Sequence, residues 1–91
     1  MVVAVYVVVV YDVGIERVNA VRQFLRRYLI WIQNSAFEGE ISEGQMARIK
    51  AGIREIINED EDSVIIFTVG SKKWIGKEVL GIEKAETSPI L

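Results

Sequence analysis

The sequence predicts an α/β (α+β) fold, a ferredoxin-like βαββαβ sandwich with an extra C-terminal strand. Three observations lead there. Residues 2–11 and 63–69 are almost entirely β-branched and aromatic, the composition of strands. Two other stretches, beginning at Ile15 and Ser42, carry apolar residues at spacings of three and four, the stripe of an amphipathic helix. Strand and helix patterns alternate, and two βαβ-type units in only 91 residues fold most economically as such a sandwich.

The first strand, Val2 to Tyr11, is apolar at every position rather than at alternate ones, so both of its faces are expected to be covered. Asp12 ends it and Gly14 supplies a turn. Ile15, Val18, Val21, Leu25 and Tyr28/Leu29 then form a helical stripe, and the pattern predicts a helix that runs through Arg27-Tyr28-Leu29. Residues 29–41 return to strand composition, interrupted by Gln33-Asn34-Ser35 and Gly39, and read as a bent strand or a tight strand pair. Ser42 and Gln45 have capping-box spacing at the start of the second helix, whose stripe is Met46, Ile49, Ile53, Ile56 and Ile57. Gly52 within it costs about 1 kcal/mol relative to alanine, a cost that close packing would explain. Glu59-Asp60-Glu61-Asp62 reads as a solvated acidic loop. Val64 to Val69 is the second fully apolar strand, Gly70 to Lys73 turn the chain, and Glu78 to Glu83 form a short last strand. The expected division is a domain over residues 1–84 and a tail over 85–91.

Composition narrows the chemistry. The chain is 51% hydrophobic and 26% charged with a net charge of −2, a mixture that folds. It has no Cys and no His, which excludes disulfides, zinc fingers, Cys nucleophiles and His-based acid–base catalysis. The longest apolar run is about half of what a bilayer span needs, so a cytoplasmic protein without membrane contact is expected. A domain this small is marginal alone, and two helices cover only one face of a sheet whose main strands are apolar on both. A homodimer is therefore expected.

Charge is polarised. Residues 13–37 carry Arg17, Arg22, Arg26 and Arg27 against Glu16 alone, whereas residues 38–62 carry eight acids against Arg48, Lys50 and Arg54. The arginines read either as a solvated helix face or as a phosphate-binding strip. Asp12 lies at the carboxyl end of an apolar strand and just before a helix, where α/β sheets place functional groups. It reads either as a helix cap or as a ligand of Mg²⁺, which often takes only one or two carboxylates. A twofold axis would supply a second copy of it. Ser35, Phe37 and Tyr11 carry similar pairs of readings: structural residues, or a hydroxyl near phosphate and aromatic surfaces for a dimer contact or a base. Trp31 and Trp74 read as packing residues.

Val7-Val8-Val9-Val10-Tyr11-Asp12 followed by Arg17, then Gln33-Asn34-Ser35-Ala36-Phe37-Glu38-Gly39 and Val64-Ile65-Ile66-Phe67, resembles the small CRISPR-associated adaptation protein family, the dimeric companion of the spacer-acquisition integrase. The resemblance covers roughly residues 2–84. It implies a homodimer with Asp12 of each protomer facing across the axis at a Mg²⁺-dependent phosphodiesterase site, acting on single-stranded RNA or duplex DNA. It also implies that Tyr11, Asp12, Arg17, Ser35 and Phe37 occupy site positions, and that the C-terminal strand and tail pair with neighbouring subunits. In other members the dimer is a non-catalytic bridge that holds DNA between integrase subunits. This chain departs from the family at Trp31, where an arginine is common, and at Ala36, where a valine is.

Overall fold

The structure is a computed structural model that describes residues 4–70 and 74–83. Its elements are β1 (Ala4–Asp12), α1 (Ile15–Leu25), β2 (Ile30–Gln33), β3 (Ala36–Ser42), α2 (Glu43–Ile56), β4 (Ser63–Val69) and β5 (Trp74–Gly81). They form one five-stranded sheet in the order β2-β3-β1-β4-β5, with every neighbouring pair antiparallel. This is the expected βαββαβ arrangement with an added strand at one edge.

Side chains alternate across a strand, and β1 shows what that means for a sheet with helices on one side. Val7, Val9 and Tyr11 point into the main core with Val21 and Leu25 of α1, Ile49 and Ile53 of α2, Phe37, Ile41, Val64 and Ile66. Val8 lies on the other face, in a second cluster with Ile65 and Phe67, against which Val69 and Val79 pack. Tyr6 and Val10 share that open face and are partly exposed. The continuous apolar run of β1 is thus two alternating sets, one buried by the helices and one left at the surface.

Three boundaries differ from the sequence pattern or decide between its alternatives. First, α1 ends at Leu25: Arg27 and Tyr28 donate their N–H groups to Phe24 and Leu25 carbonyls at 3.2 and 3.0 Å, the i→i+3 bonds of a tightened last turn. Leu29 remains in the core by way of this turn, which is why the apolar spacing continues past the helix. Second, residues 29–41 resolve to the strand pair, one of the two expected alternatives, rather than to a bent strand. The reversal is at Asn34, whose φ of 37° is a left-handed conformation that asparagine tolerates better than most residues. Third, β5 begins at Trp74 and spans eight residues, longer than the expected segment 78–83. Of the expected turn only Gly70 is described, and the tail over 85–91 lies outside the described residues.

Gly52 has the role its cost demands. A Cβ there would lie 2.1 Å from Cζ of Phe24, so the bare backbone of α2 receives the ring from α1. Ser42 caps α2 as expected, accepting from Gln45 N while Gln45 Oε1 accepts from Ser42 N.

Candidate functional site

Strand parity decides where Asp12 sits. It shares the face of Tyr6, Val8 and Val10, the one that the helices leave open, and it is exposed at the carboxyl end of β1. The β2–β3 turn lies beside that end of the strand. Tyr11 N donates to Ser35 O at 2.9 Å, which brings Ser35 alongside Tyr11 and one residue from Asp12. The Asn34 carbonyl accepts from the Tyr11 hydroxyl at 3.3 Å and from Trp31 Nε1 at 3.0 Å, so two aromatic side chains fix the turn. A shallow depression lined by Val8, Val10, Ile32, Gln33, Asn34 and Ser35 adjoins it on the open face.

Tyr11 and Phe37 stack with ring centroids 6.0 Å apart, but on the helix side of the sheet. Phe37 is fully buried, 0% exposed, so its ring offers no surface to a base or to a second subunit. The expectation that it forms a stacking platform or a dimer contact is corrected: its β3 position has the parity of the core. Tyr11 is likewise a core ring, and only its hydroxyl reaches the turn.

The four arginines do not form one strip. The Arg17 guanidinium is turned onto carboxylates: Nη2 lies 2.9 Å from Asp62 Oδ1 and 3.2 Å from Glu61 Oε1, Nε donates to Asp62 Oδ2, and Nη1 pairs with Glu16 at 3.4 Å. Arg22 lies over the Trp31 ring, 4.9 Å from its centroid, with its Nε buried and without a hydrogen bond. Arg26 and Arg27 follow the last residue of α1 and are exposed. Trp31, expected to be a packing residue, is 45% exposed on edge strand β2 and carries Arg22 on its face. The side chain of Trp74 lies outside what the structure describes.

Asp62 was hidden by its surroundings in the sequence. It ends the acidic run read as a solvated loop, yet it is 1% exposed. Its carboxylate accepts from Gly14 N and Asn58 N, each at 2.9 Å, and from Arg17. Hydrogen bonds from Arg17 outweigh the opposing effect of burial and, with those from Asn58 and Gly14, hold its pKa well below the usual carboxylate range. The same partnership raises the pKa of Arg17. The only hint in the sequence is position: Asp62 stands directly before a buried strand. Its partner is 45 residues away.

Among the described residues no group of three or more His, Cys, Asp or Glu side chains gathers into a ready metal site. No described helix is long and apolar enough to cross a membrane.

The family model described as CRISPR associated protein Cas2 matches residues 5–75. The chain belongs to the Cas2 family. It is 60% identical over 84 residues to a CRISPR-associated endoribonuclease Cas2 of Archaeoglobus fulgidus, covering 92% of this chain and 91% of that protein. It is 50% identical to the endoribonuclease Cas2 of Methanothermobacter thermautotrophicus over the full length of both. A crystal structure of Cas2 superposes with a TM-score of 0.71 at 41% identity, covering 98% of this chain and all of the other. Cas2 of Streptococcus pyogenes does so with a TM-score of 0.67 at 31% identity, over 71% of this chain and 86% of that one. The α+β architecture and the Cas2 resemblance read from the sequence both stand.

Proposed function

We propose that this Cas2 protein is a CRISPR-adaptation nuclease that works as a homodimer, cutting phosphodiester bonds of single-stranded RNA or duplex DNA at a Mg²⁺ site shared by two copies of Asp12. The observation that carries the reading is the place of Asp12: an exposed carboxylate on the same face as the uncovered Tyr6–Val8–Val10 row. A second copy seated on that apolar face covers it and brings a second Asp12 to the same end. The relatives' name, CRISPR-associated endoribonuclease, supports the activity.

The donor set fits such an ion. Asp12 is a hard oxygen ligand, and Mg²⁺ keeps several waters while taking one or two carboxylates and substrate phosphate. When bound, the ion would supply charge neutralisation at the scissile phosphate and a water of lowered pKa, which matters in a chain without histidine. The protein's own residues do the rest. Tyr11 and Trp31 hold the Asn34–Ser35 turn, which keeps the Ser35 hydroxyl at the same end as Asp12, and exposed Arg26 and Arg27 attract the nucleic-acid backbone.

The test uses labelled single-stranded RNA and duplex DNA with Mg²⁺ or EDTA, comparing wild type with Asp12→Asn. Metal-dependent cutting lost in the variant, by about a hundredfold or more, is expected; cutting that survives it rejects the site. A second reading, a non-catalytic bridge that holds DNA for an integrase subunit, is favoured by the lack, among the described residues, of any group of three or more ligating side chains within one chain. It expects no cutting, and salt-dependent duplex binding that Asp12→Asn leaves intact and that replacement of Arg22 and Arg26 weakens.

A further inference from the structure

Asp12 sits between two anchors, and both belong to the dipeptide Asp62–Ser63. On one side Asp12 is the register partner of Ser63, at the end of the β1–β4 ladder. On the other side Gly14, two residues on, donates its N–H to the Asp62 carboxylate at 2.9 Å. Only Val13 lies between. The path of the backbone that carries Asp12 is therefore fixed by where the Asp62 side chain stands. Gly14 is the N-terminal cap residue of α1 and has no side chain to cap with; Asp62, 48 residues away, instead holds the cap residue itself by accepting from its N–H.

Arg17 in turn fixes Asp62. The carboxylate accepts from Gly14 N, Asn58 N, and the Nε and Nη2 of Arg17, which occupies both oxygens. Asp62 thus has both oxygens engaged and no capacity left to hold a metal. Its main chain is held as well: Asp62 N donates to Asn58 O and Asp62 O accepts from Ile82 N, both at 2.8 Å. Arg17 meanwhile faces Glu16 and Glu61 in addition to Asp62, and a phosphate approaching it would meet three carboxylates.

We propose that Arg17 and Asp62 are a positioning pair for the nuclease site: Arg17 contributes to cleavage by locking Asp62 onto the Asp12–Gly14 turn, and does not bind the substrate phosphate. This rests on Asp12 being the catalytic carboxylate. The residue that the family motif places in the site thus acts one step removed from the chemistry.

The experiment compares wild type, Arg17→Gln, Arg17→Lys and Asp62→Asn, each first checked for a cooperative thermal transition. Amide hydrogen exchange is followed at Gly14 and at Val13, and single-turnover cleavage is measured together with the Kd for an uncut oligonucleotide in EDTA. The pair predicts faster exchange at Gly14 in Asp62→Asn and Arg17→Gln, a cleavage rate reduced by about tenfold to a hundredfold, and a Kd within about twofold of wild type. The double variant should be no slower than the worse single one. Arg17→Lys, which keeps a charge on Asp62, should recover part of both the protection and the rate. Weakened binding in Arg17→Gln with Gly14 still protected would overturn the proposal and make Arg17 a phosphate ligand. So would a wild-type rate in Asp62→Asn. Where wild type does not cut, or Asp12→Asn cuts as well as wild type, the nuclease reading fails instead, while Gly14 exchange still decides whether the pair sets the turn.

Discussion

Asp62 and Arg17 illustrate how far a residue's meaning depends on what faces it. The Asp62 carboxyl ionises more readily in the fold than in an unfolded chain, where its ordinary pKa is 3.8. Its contribution is therefore fully present above that value and is lost as pH falls toward the depressed native pKa. Thermal melts between pH 7 and pH 2.5 should show wild type losing more stability on acidification than Asp62→Asn, which has no charge to lose at that site; parallel curves would refute this. At neutral pH the same variant should be less stable by about 1–2 kcal/mol, because Arg17 loses its two-pronged carboxylate partner and keeps only the more exposed Glu16 and Glu61. The sequence made the place of Asp12 legible, at the end of a strand just before a helix. It concealed Asp62, because four acids in a row describe a solvated loop unless one knows that the last of them lies under α1. It left Phe37 open between a structural place and a site, since the turn at Asn34 that sets its parity is a single left-handed residue.

Elements were legible wherever periodicity and packing agreed. The capping box at Ser42 and the stripe of α2 gave that helix correctly. The end of α1 was missed because Leu29 is buried from a turn, so a helical spacing persists where the helix does not. Gly52 shows the contact between the helices most directly. Alanine is favoured over glycine by about 1 kcal/mol within a helix, yet a methyl group here would occupy the place of the Phe24 ring. Gly52→Ala should therefore destabilise by about 1–2 kcal/mol in urea titrations, and a smaller residue at Phe24 should return part of it. Gain of stability in Gly52→Ala alone would show that the ring gives way freely. Gly81 is a second such position: its φ is 82°, and a Cβ would lie 2.1 Å from the Asp62 carbonyl oxygen. Gly81→Ala should cost about 1–3 kcal/mol, and it should loosen the Ile82 amide in exchange experiments.

At the scale of the molecule, the arrangement is a sheet with one covered face and one open face. The open face carries its own apolar cluster of Val8, Ile65 and Phe67, flanked by Tyr6 and Val10. Val10→Lys places a charge where the single chain already tolerates exposure, so folding should survive while association does not. Light scattering should report a mass near that of one chain for the variant and of two for wild type; an unchanged mass would move the dimer surface elsewhere. That both faces of β1 needed cover was readable from its unbroken apolar run, whereas nothing in the run said which residue belonged to which face. The alternation along β1 also has an evolutionary consequence. Val7, Val9 and Tyr11 answer to the folding of their own chain, while Tyr6, Val8, Val10 and Asp12 answer to whatever lies across the open face. Drift at every second position of one strand can thus proceed under a different constraint from its neighbours, and a lineage could exchange one partner for another by rewriting half a strand and leaving the other half untouched.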